Sequence, residues 1–288
     1  MDITRTLPQE CIANIISGTS PRDACRLSLV SRAFESAATS NLVWERFLPP
    51  DCQEIISSSS SSSSLNMLTK KNLYFHLCDN PILIGNSNNM SFQIDKLSGK
   101  KCLMLAAREL SIIWGSGETP HYWEWISSTE SPVLPKSRFS EVALLRKVSW
   151  LDIKGRIETE ILSPRTKYGA YFIYSMVDGF YGFHNPVKVS IRLENEEEGG
   201  DAINAYLNPR LWLGTQEQRS NEELLQINRQ DGRLPIKRED MWMEIEIGEF
   251  FTGGHGDNHG EVEMCLKEVQ VLHEKSGLVV HGIELRPK

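Results

Sequence analysis

The chain lacks the features that mark membrane, secreted and redox proteins. It has no apolar run of about 18 residues, the minimum for a helix that crosses a bilayer, so we predict no contact with a membrane. Its first residues lead into a helix-start signal and show no signal peptide. No CxxC pair occurs among the six cysteines, which are Cys11, Cys25, Cys52, Cys78, Cys102 and Cys265. We interpret them as reduced, buried thiols of a protein in the nucleus and cytoplasm, with an extracellular disulfide framework as the alternative.

A basic excess and the common catalytic motifs are also missing. The net charge of -7 at pH 7 argues against a general nucleic-acid binder, which would show a basic face. No GxSxG, HExxH or P-loop motif occurs, so we predict neither an enzyme nor a cofactor. His255, Asp257 and His259 alternate in a glycine-rich loop. No fourth ligand accompanies them, so no metal site is predicted.

Composition divides the chain into three regions. Its 288 residues, 40% of them apolar, allow one large domain or two ordinary ones. Eight consecutive serines, Ser57 to Ser64, bury no apolar surface, and we expect a mobile loop there. The next segment, LTKKNLYFHLC, is typical of a helix, and a turn-rich connector follows it. The predicted regions are therefore residues 1–48, residues 49–100 (Ser-rich loop, helix and connector) and residues 101–288.

The first region carries signals for three or four short helices. Pro8 occupies a position typical of the first helical turn, and Gly18 marks the end of that helix. Between them, Ile12, Ile15 and Ile16 recur at helical spacing. A segment this short buries too little surface to offset its backbone entropy, roughly 1–2 kcal/mol per residue. We expect the surplus apolar side chains to contact another protein, the alternative being a helical subdomain that packs on its own chain.

Several groups in this region occur in a specific order. They are Leu7-Pro8, Ile12, Ile15-Ile16, Pro21-Arg22-Asp23, Leu29-Val30-Ser31, Phe34 and Trp44. In order and spacing they resemble an F-box. The resemblance implies docking to the Skp adaptor of an SCF-type cullin–RING ubiquitin ligase. It implies that the residues packing on the adaptor are Leu7, Pro8, Ile12, Ile15, Ile16 and Leu29.

From about residue 101 the apolar residues no longer recur at helical spacing but at every second position, as in a strand. The predicted strands are CLMLAA, LSIIW, YWEWI, VSWLDIKGRIE, YGAYFIYSMV, KVSIRLE, MWMEIEIG, EVEMCLKEV and LVVHGIELRP. Many short strands at near-regular spacing are typical of an antiparallel β-sandwich. The chain is therefore predicted to be α+β and multidomain, with a small all-α unit followed by a β-sandwich.

Long segments of this second region match a known family in order. They are ARELSIIW, HYWEW, VSWLDIKGRIET, YGAYFIY, MWMEIEIGEFF, GEVEMCLKEV and SGLVVHGIELRP. They resemble the phloem-protein-2-type lectin domain, the family of the plant lectin Nictaba. With the F-box they imply a plant F-box lectin of the B-type phloem-protein-2-like group. An insertion at about 195–235 departs from the compact lectin pattern, and we expect it to reshape or cover a binding face.

Three tryptophans lie close together in this region: Trp114, Trp123 and Trp125. Flat aromatic faces suit the apolar side of a pyranose ring. In the resembling lectins, the first tryptophan and the one after the tyrosine are tied to N-acetylglucosamine-oligomer binding, which implies that role for Trp114 and Trp123. Trp125 has the parity of Trp123 and is predicted to share its face. The alternative is that all three are core residues.

Two carboxylates complete the predicted carbohydrate-binding set. Glu261 and Glu263 share one strand face, and carboxylates accept hydrogen bonds from sugar hydroxyls. The alternative is an ordinary solvated strand face. Trp150 and Trp242 are predicted to be core or structural residues.

Three functions remain open at this point. The first is a non-catalytic subunit that joins the Skp adaptor to glycoprotein or protein substrates, which are then ubiquitinated and degraded by the proteasome. Its lectin-like domain would bind N-acetylglucosamine-containing glycans or N-glycans of those substrates. The second is a lectin without ligase function, or a protein-binding sandwich that has lost sugar binding. The third is a glycosidase, for which we expect no turnover. We favour the first because it gives both halves of the chain a role.

Overall fold

A computed structural model describes residues 7–117, 119–127, 134–194, 202–208, 232–254 and 260–288. The chain forms two compact units, one from Met1 to Leu103 and one from Met104 to Arg286. None of the helices in the described ranges is both long enough and apolar enough to cross a membrane.

Seven short helices build most of the first unit. They are α1 (Gln9–Ser17), α2 (Pro21–Leu27), α3 (Arg32–Ala38), α4 (Asn41–Phe47), α5 (Cys52–Ser57), α6 (Ser62–Leu65) and α7 (Lys70–Asp79). Hydroxyl side chains cap four of them: Ser20, Ser31, Ser40 and Thr69 each accept a hydrogen bond from a backbone N–H of the first turn. The caps satisfy donors that a helix start leaves unpaired, so the sequence fixes where these helices begin.

Trp44 organises the core of this unit. Its ring is almost fully buried, and its centroid lies 5.2 Å from that of Tyr74 and 5.1 Å from that of Phe75, which joins α4 to α7. Its Nε1–H donates to the backbone carbonyl of Ala38 at 2.7 Å, so the polar atom of the ring is satisfied inside the core.

The serine run is not the loop we predicted. Ser57 ends α5, and the last serines of the run begin α6. Two buried apolar side chains flank the run, Ile56 and Leu65, and hold it against the unit. Along it, serine hydroxyls donate to carbonyls three residues earlier, as Ser58 does to Ile55 at 2.8 Å. Local hydrogen bonds and flanking anchors therefore order a segment whose composition alone indicates disorder.

A hairpin closes the first unit. It consists of β1 (Ile82–Ile84) and β2 (Met90–Ile94), paired antiparallel, and β3 (Lys101–Ala106) follows after a tight turn. Gly99 in this turn has φ +72, and a Cβ there would collide with the carbonyl oxygen of Phe47. The turn is therefore pressed against the end of α4.

The remaining strands form the second unit. They are β4 (Ser111–Ile112), β5 (Trp123–Ser127), β6 (Glu141–Leu145), β7 (Leu151–Glu158), β8 (Lys167–Tyr181), β9 (Val187–Leu193), β10 (Ile203–Ala205), β11 (Ile236–Lys237), β12 (Met243–Phe251), β13 (Glu261–Glu268) and β14 (Ser276–Pro287). Each of the nine predicted strand segments overlaps one of the observed strands. Strand β6 was missed, because four of its five residues are buried and EVALL carries no period-two alternation.

Two antiparallel sheets pack face to face in this unit. One sheet contains the order β14-β8-β12-β11, with β6 on β14 and β5 on β6; the other has the order β10-β9-β13-β7-β4. A Cβ on Gly155 of β7 would lie 2.9 Å from Cδ1 of Ile283 on β14, so the sheets approach closely there. This arrangement confirms the predicted sandwich.

The cysteines only partly match expectation. All six are free, and Cys52, Cys78 and Cys265 are buried. Burial raises the pKa of Cys52 to about 11 and that of Cys78 to about 12, so these thiols stay protonated at neutral pH. Cys11 and Cys25 are exposed, contrary to the prediction of buried thiols, because they lie on the outer faces of α1 and α2.

His281 is a buried, uncharged histidine inside the sandwich. Its ring stacks on Trp242 with centroids 4.2 Å apart, and its Nε2 lies 3.0 Å from the hydroxyl of Ser137. Burial, with the positive charges of Arg138 and Arg238, lowers its pKa to about 3. The neutral ring is therefore part of the packed core at physiological pH.

This burial predicts a pH-dependent stability. An unfolded histidine takes up a proton below about pH 6.5. The folded ring does so only near pH 3, so His281 lowers the free energy of unfolding as the pH falls from about 6.5 towards 3. In His281→Gln this contribution is absent. We expect its stability deficit against wild type to shrink by on the order of 2 kcal/mol between pH 7.5 and 5.0. Urea titrations at both pH values measure the deficit, and a constant deficit would contradict the assignment.

Candidate functional site

The first unit exposes large apolar side chains on its short helices and on the segments beside them. Leu29 is 86% exposed, Val30 64% and Ile15 61%, and Leu42 and Leu7 are also accessible. We call these five side chains the N-terminal apolar surface. A soluble unit does not gain stability by leaving so many large apolar groups in water, so this surface is a candidate interface.

The helical period of α1 explains which side chains are exposed. Ile12 and Ile16 lie four residues apart on one face and are buried, whereas Ile15 points about 100° around the helix from Ile16 and is exposed at the edge of that face. Pro8 precedes the first turn of α1 and is exposed. Of the six residues assigned to an adaptor, Leu7, Pro8, Ile15 and Leu29 are therefore accessible. Ile12 and Ile16 pack inside their own unit, which leaves them no free surface for a partner.

In the second unit, Trp114 occupies the loop between β4 and β5. Its ring is 45% exposed and lies 5.3 Å from the ring of Tyr122, centroid to centroid. The backbone of Trp114 has φ +59, which is uncommon for a bulky residue. Strained conformations persist where surrounding contacts impose them, and they cluster at binding sites. Trp114 and Tyr122 together form what we call the loop aromatic pair.

Hydrogen bonds hold this loop in shape. The hydroxyl of Thr119 donates to the carbonyl oxygen of Trp114 at 3.0 Å. The backbone N–H of Arg146 donates to the carbonyl oxygen of Tyr122 at 2.9 Å, which ties the loop to the end of β6. The side chain of Arg146 also forms an ion pair with Glu124. The loop aromatic pair is therefore preorganised.

The other two predicted tryptophans support the loop. Nε1–H of Trp125 donates to the carbonyl oxygen of Gly115 at 2.9 Å. The guanidinium of Arg108 lies 3.6 Å from the centroid of the Trp125 ring and covers one of its faces, while it pairs with Glu141 at 2.8 Å. Trp123 is 2% exposed, with its Nε1 buried and unpaired. Neither ring offers an open face comparable to that of Trp114.

Glu261 and Glu263 lie in a different part of the sandwich. Both start β13, where Glu263 is paired with Arg156 of β7 at 2.6 Å. Burial opposes ionisation of Glu263, but the hydrogen bonds from Arg156 and Cys265 and the positive charges of Lys154 and Arg156 together outweigh it, and the pKa of this carboxyl is lowered. Arg156 lies four residues along β7 from Asp152, whose carbonyl oxygen accepts from the backbone N–H of Ile113 just before Trp114, and four residues span about 13 Å in a strand. The structure thus does not bring the two glutamates to the loop aromatic pair.

Family models match both halves of the chain. A model described as Phloem protein 2 matches residues 100–287, and an F-box-like model matches residues 4–50. The chain is an F-box protein of the phloem protein 2 family. Among similar proteins from Arabidopsis thaliana, "F-box protein PP2-B10" is 41% identical over 98% of this chain and 93% of its own length. "Putative F-box protein PP2-B12" is 41% identical over 98% of this chain and 97% of its own length.

Solved structures give only a weak likeness. A family 35 carbohydrate binding module from Clostridium thermocellum overlaps 64% of this chain and 96% of its own, with 9% identity and a TM-score of 0.30. A mannan-recognising module, TmCBM27, overlaps 63% of this chain and 90% of its own, with 10% identity and a TM-score of 0.29. At these scores the likeness carries no argument about ligands.

Trp150 of the phloem protein 2 domain was predicted to be a core or structural residue, and it is not in the core. It is 43% exposed, because it precedes β7 and points away from the core that buried Leu151 enters. Trp242 is 1% exposed, as predicted, and its Nε1–H donates to the carbonyl oxygen of Lys136 at 3.0 Å.

Sequence reasoning missed two supporting residues of the F-box protein. Tyr122 was placed in a strand, but the strand begins one residue later and leaves its ring beside Trp114. Arg108 carried no signal, since an arginine over an aromatic face is set by tertiary packing. In the described ranges we find no group of side chains suited to a metal. His255, Asp257 and His259 lie outside those ranges.

The insertion in the phloem protein 2 domain is anchored at both described ends. On one side, the hydroxyl of Tyr174 donates to the carbonyl oxygen of Leu207 at 2.8 Å. On the other, the guanidinium of Arg233 donates to the carbonyl oxygen of Glu246 at 2.7 Å. A parallel bridge pairs Ala205 with Arg233. Residues 209–231 between these anchors lie outside the described residues, so the effect of the insertion on a binding face stays a prediction.

The strained backbone at Trp114 predicts an unusual stability order. Glycine adopts positive φ at little cost, whereas other residues pay roughly 1–2 kcal/mol there. We therefore expect Trp114→Gly to be at least as stable as Trp114→Ala, by up to about 1 kcal/mol. Chemical denaturation of both variants gives the difference. At Tyr122, whose φ is not positive, the same pair of substitutions should favour alanine; a clear advantage for alanine at Trp114 would show that the residue is not strained.

Proposed function

We propose that this F-box protein is the substrate-recognition subunit of an SCF-type ubiquitin ligase. Its N-terminal helices dock a Skp-type adaptor, and its phloem protein 2 domain binds glycans that contain N-acetylglucosamine. Bound glycoproteins are presented for ubiquitination and proteasomal degradation in the nucleus and cytoplasm. The observation that carries the proposal is the N-terminal apolar surface, which a unit with its own complete core leaves in solvent.

The geometry of the first unit supports adaptor docking. Ile15 on α1 and Leu29 just after α2 are more than half exposed, although α1 buries Ile12 and Ile16 and α2 buries Ala24. Truncation of well-buried apolar anchors at an interface typically costs 2 kcal/mol or more. The adaptor would cover side chains that are costly to hydrate, so the F-box gains its binding energy from surface that its own fold cannot bury.

The loop aromatic pair supports the glycan-binding half. An exposed indole face beside a phenol ring offers apolar area for a pyranose and a hydroxyl for hydrogen bonds. The loop is held by hydrogen bonds on both sides of Trp114, so binding orders little further chain. The protein acts by positioning substrate, and transfer of ubiquitin belongs to the partner enzymes of the ligase.

Adaptor docking is tested by placing a charge on α1. We expect Ile15→Asp to weaken binding of a recombinant plant Skp adaptor at least 30-fold, because the carboxylate would be desolvated in the interface. Titration calorimetry with the full chain measures the dissociation constant. Met67→Asp is the matched control, since Met67 is 87% exposed in the same unit and lies outside the N-terminal apolar surface. Equal binding by wild type and Ile15→Asp would refute the interface assignment.

Glycan binding is tested at the loop aromatic pair. Trp114→Ala should weaken binding of chitotriose by the full chain at least 10-fold, since the stacking face is lost. Phe251→Ala removes an aromatic ring that is 59% exposed on β12 and should leave binding unchanged. The double variant Glu261→Gln with Glu263→Gln should also bind normally, because the strand positions of those carboxylates lie about 13 Å or more along the sheet from Ile113, the residue before Trp114. A glycan array on which the folded wild-type chain binds nothing would favour a protein-binding sandwich.

A further inference from the structure

Three chain connections run side by side across one end of the sandwich. The β4–β5 connection carries the loop aromatic pair, and the backbone N–H groups of Arg146 and Lys147 donate to the carbonyl oxygen of Tyr122 at 2.9 and 3.3 Å. These bonds tie the β6–β7 connection to that loop. The β13–β14 connection is paired with it in turn, because Val148 and Lys275 exchange two backbone hydrogen bonds of 3.0 and 2.7 Å. The β13–β14 connection therefore lies only one segment away from the proposed glycan site.

The second and third connections expose large apolar side chains close to one another. The ammonium of Lys275 donates to the backbone carbonyl oxygens of Ser149 at 3.1 Å and His273 at 2.8 Å. Trp150 and Leu272 are chain neighbours of these two residues, so the same contact brings them together. The apolar side chains exposed here, which we call the end patch, are Trp150 (43%), Val271 (40%) and Leu272 (60%).

A buried ion pair holds the end patch in shape. The charged groups of Lys275 and Glu268 contact each other, and both side chains are almost fully buried. The carboxylate of Glu268 also accepts the backbone N–H groups of Val271 at 2.7 Å and Gln270 at 3.2 Å. A buried charge pair is stable only where further hydrogen bonds satisfy it, so these groups fix one conformation of the connection. The end patch is therefore ordered in advance, and a ligand would not have to order it.

The chemistry of the end patch differs from that of the loop aromatic pair. Val271 and Leu272 are aliphatic, so their side chains have no ring face for a pyranose and no atom that can bond a hydroxyl. The neighbouring charges of Lys147 and Glu274 balance each other in an ion pair of 2.9 Å. Branched aliphatic side chains beside an exposed indole suit the apolar side chains of a polypeptide better than they suit a second sugar.

The position of the end patch beside the proposed glycan site identifies which polypeptide it meets. N-acetylglucosamine is the sugar that joins an N-glycan to asparagine, so a glycan bound near its attachment point brings its own polypeptide with it. We propose that the end patch binds apolar side chains that flank the glycosylated asparagine of a protein substrate. This inference rests on the proposed function and deepens it. The second unit then recognises a glycan together with the chain that carries it, and distinguishes between proteins that bear the same glycan.

The test compares two synthetic glycopeptides with free chitotriose. Both peptides carry chitobiose on a central asparagine, which is flanked by leucines in one peptide and by serines in the other. Titration calorimetry with the full chain should show at least fivefold tighter binding of the leucine-flanked glycopeptide, because its side chains leave water at the end patch. Leu272→Ser should remove this preference and should still bind chitotriose within twofold of wild type.

Two further variants serve as controls. Leu272→Met retains the apolar contact and should keep the preference. Ile236→Ser is the matched control, since Ile236 is 65% exposed in the same unit but lies on β11, outside the three connections. It should also keep the preference. Circular dichroism melting curves confirm that each variant is folded.

The outcomes separate the two proposals. Loss of the preference in folded Leu272→Ser, with both controls normal, supports the end patch. If the wild-type chain binds chitotriose but does not prefer the leucine-flanked glycopeptide, the inference is wrong and the proposed function stands. Equal losses of chitotriose and glycopeptide binding in Leu272→Ser would assign the end patch to the glycan itself and would also overturn the inference. If the wild-type chain binds neither chitotriose nor the glycopeptides, the glycan-binding half of the proposed function fails and the inference fails with it.

Discussion

The size of its helices is the constraint on which the first unit depends. A helix of seven to ten residues presents two or three apolar side chains to a core, and a unit of this size cannot bury every face. Trp44 resolves most of this problem by filling the space between α4 and α7. What remains outside is the N-terminal apolar surface. A unit with so small a core therefore leaves apolar side chains exposed, and these side chains form a surface that a partner can cover.

Much of this arrangement could be predicted from sequence. The cap residues, the apolar period of α1 and the alternating strands are local signals, and the sandwich follows from them. Local signals did not predict which apolar side chains are buried and which are exposed. Ile15 and Ile16 are adjacent in sequence, yet Ile15 is 61% exposed and Ile16 is fully buried. Period-two patterning likewise did not predict β6, because this strand is buried on both faces. Composition predicted a mobile loop for the serine run, whereas buried Ile56 and Leu65 hold that run in place at its two ends.

The candidate glycan site shows the same limit. A cluster of three tryptophans is visible in sequence, but their roles depend on contacts with residues distant in the chain. Arg108 covers a face of Trp125, and Trp123 enters the core, so a single strand supplies support and not binding faces. The positive φ of Trp114 is a tertiary property that no period reveals. Strand parity also could not show that Glu263 faces Arg156 well away from that loop.

Both candidate surfaces share one physical property, which is that they are ordered before a ligand arrives. Hydrogen bonds hold the loop aromatic pair, and in the N-terminal apolar surface the Ser40 hydroxyl caps α4 by accepting from the backbone N–H of Leu42. A preordered surface loses little conformational entropy on binding, so a modest number of contacts suffices for a stable complex. Under the proposed function, in which one chain holds an adaptor and a substrate together, a small entropy loss on binding favours both complexes.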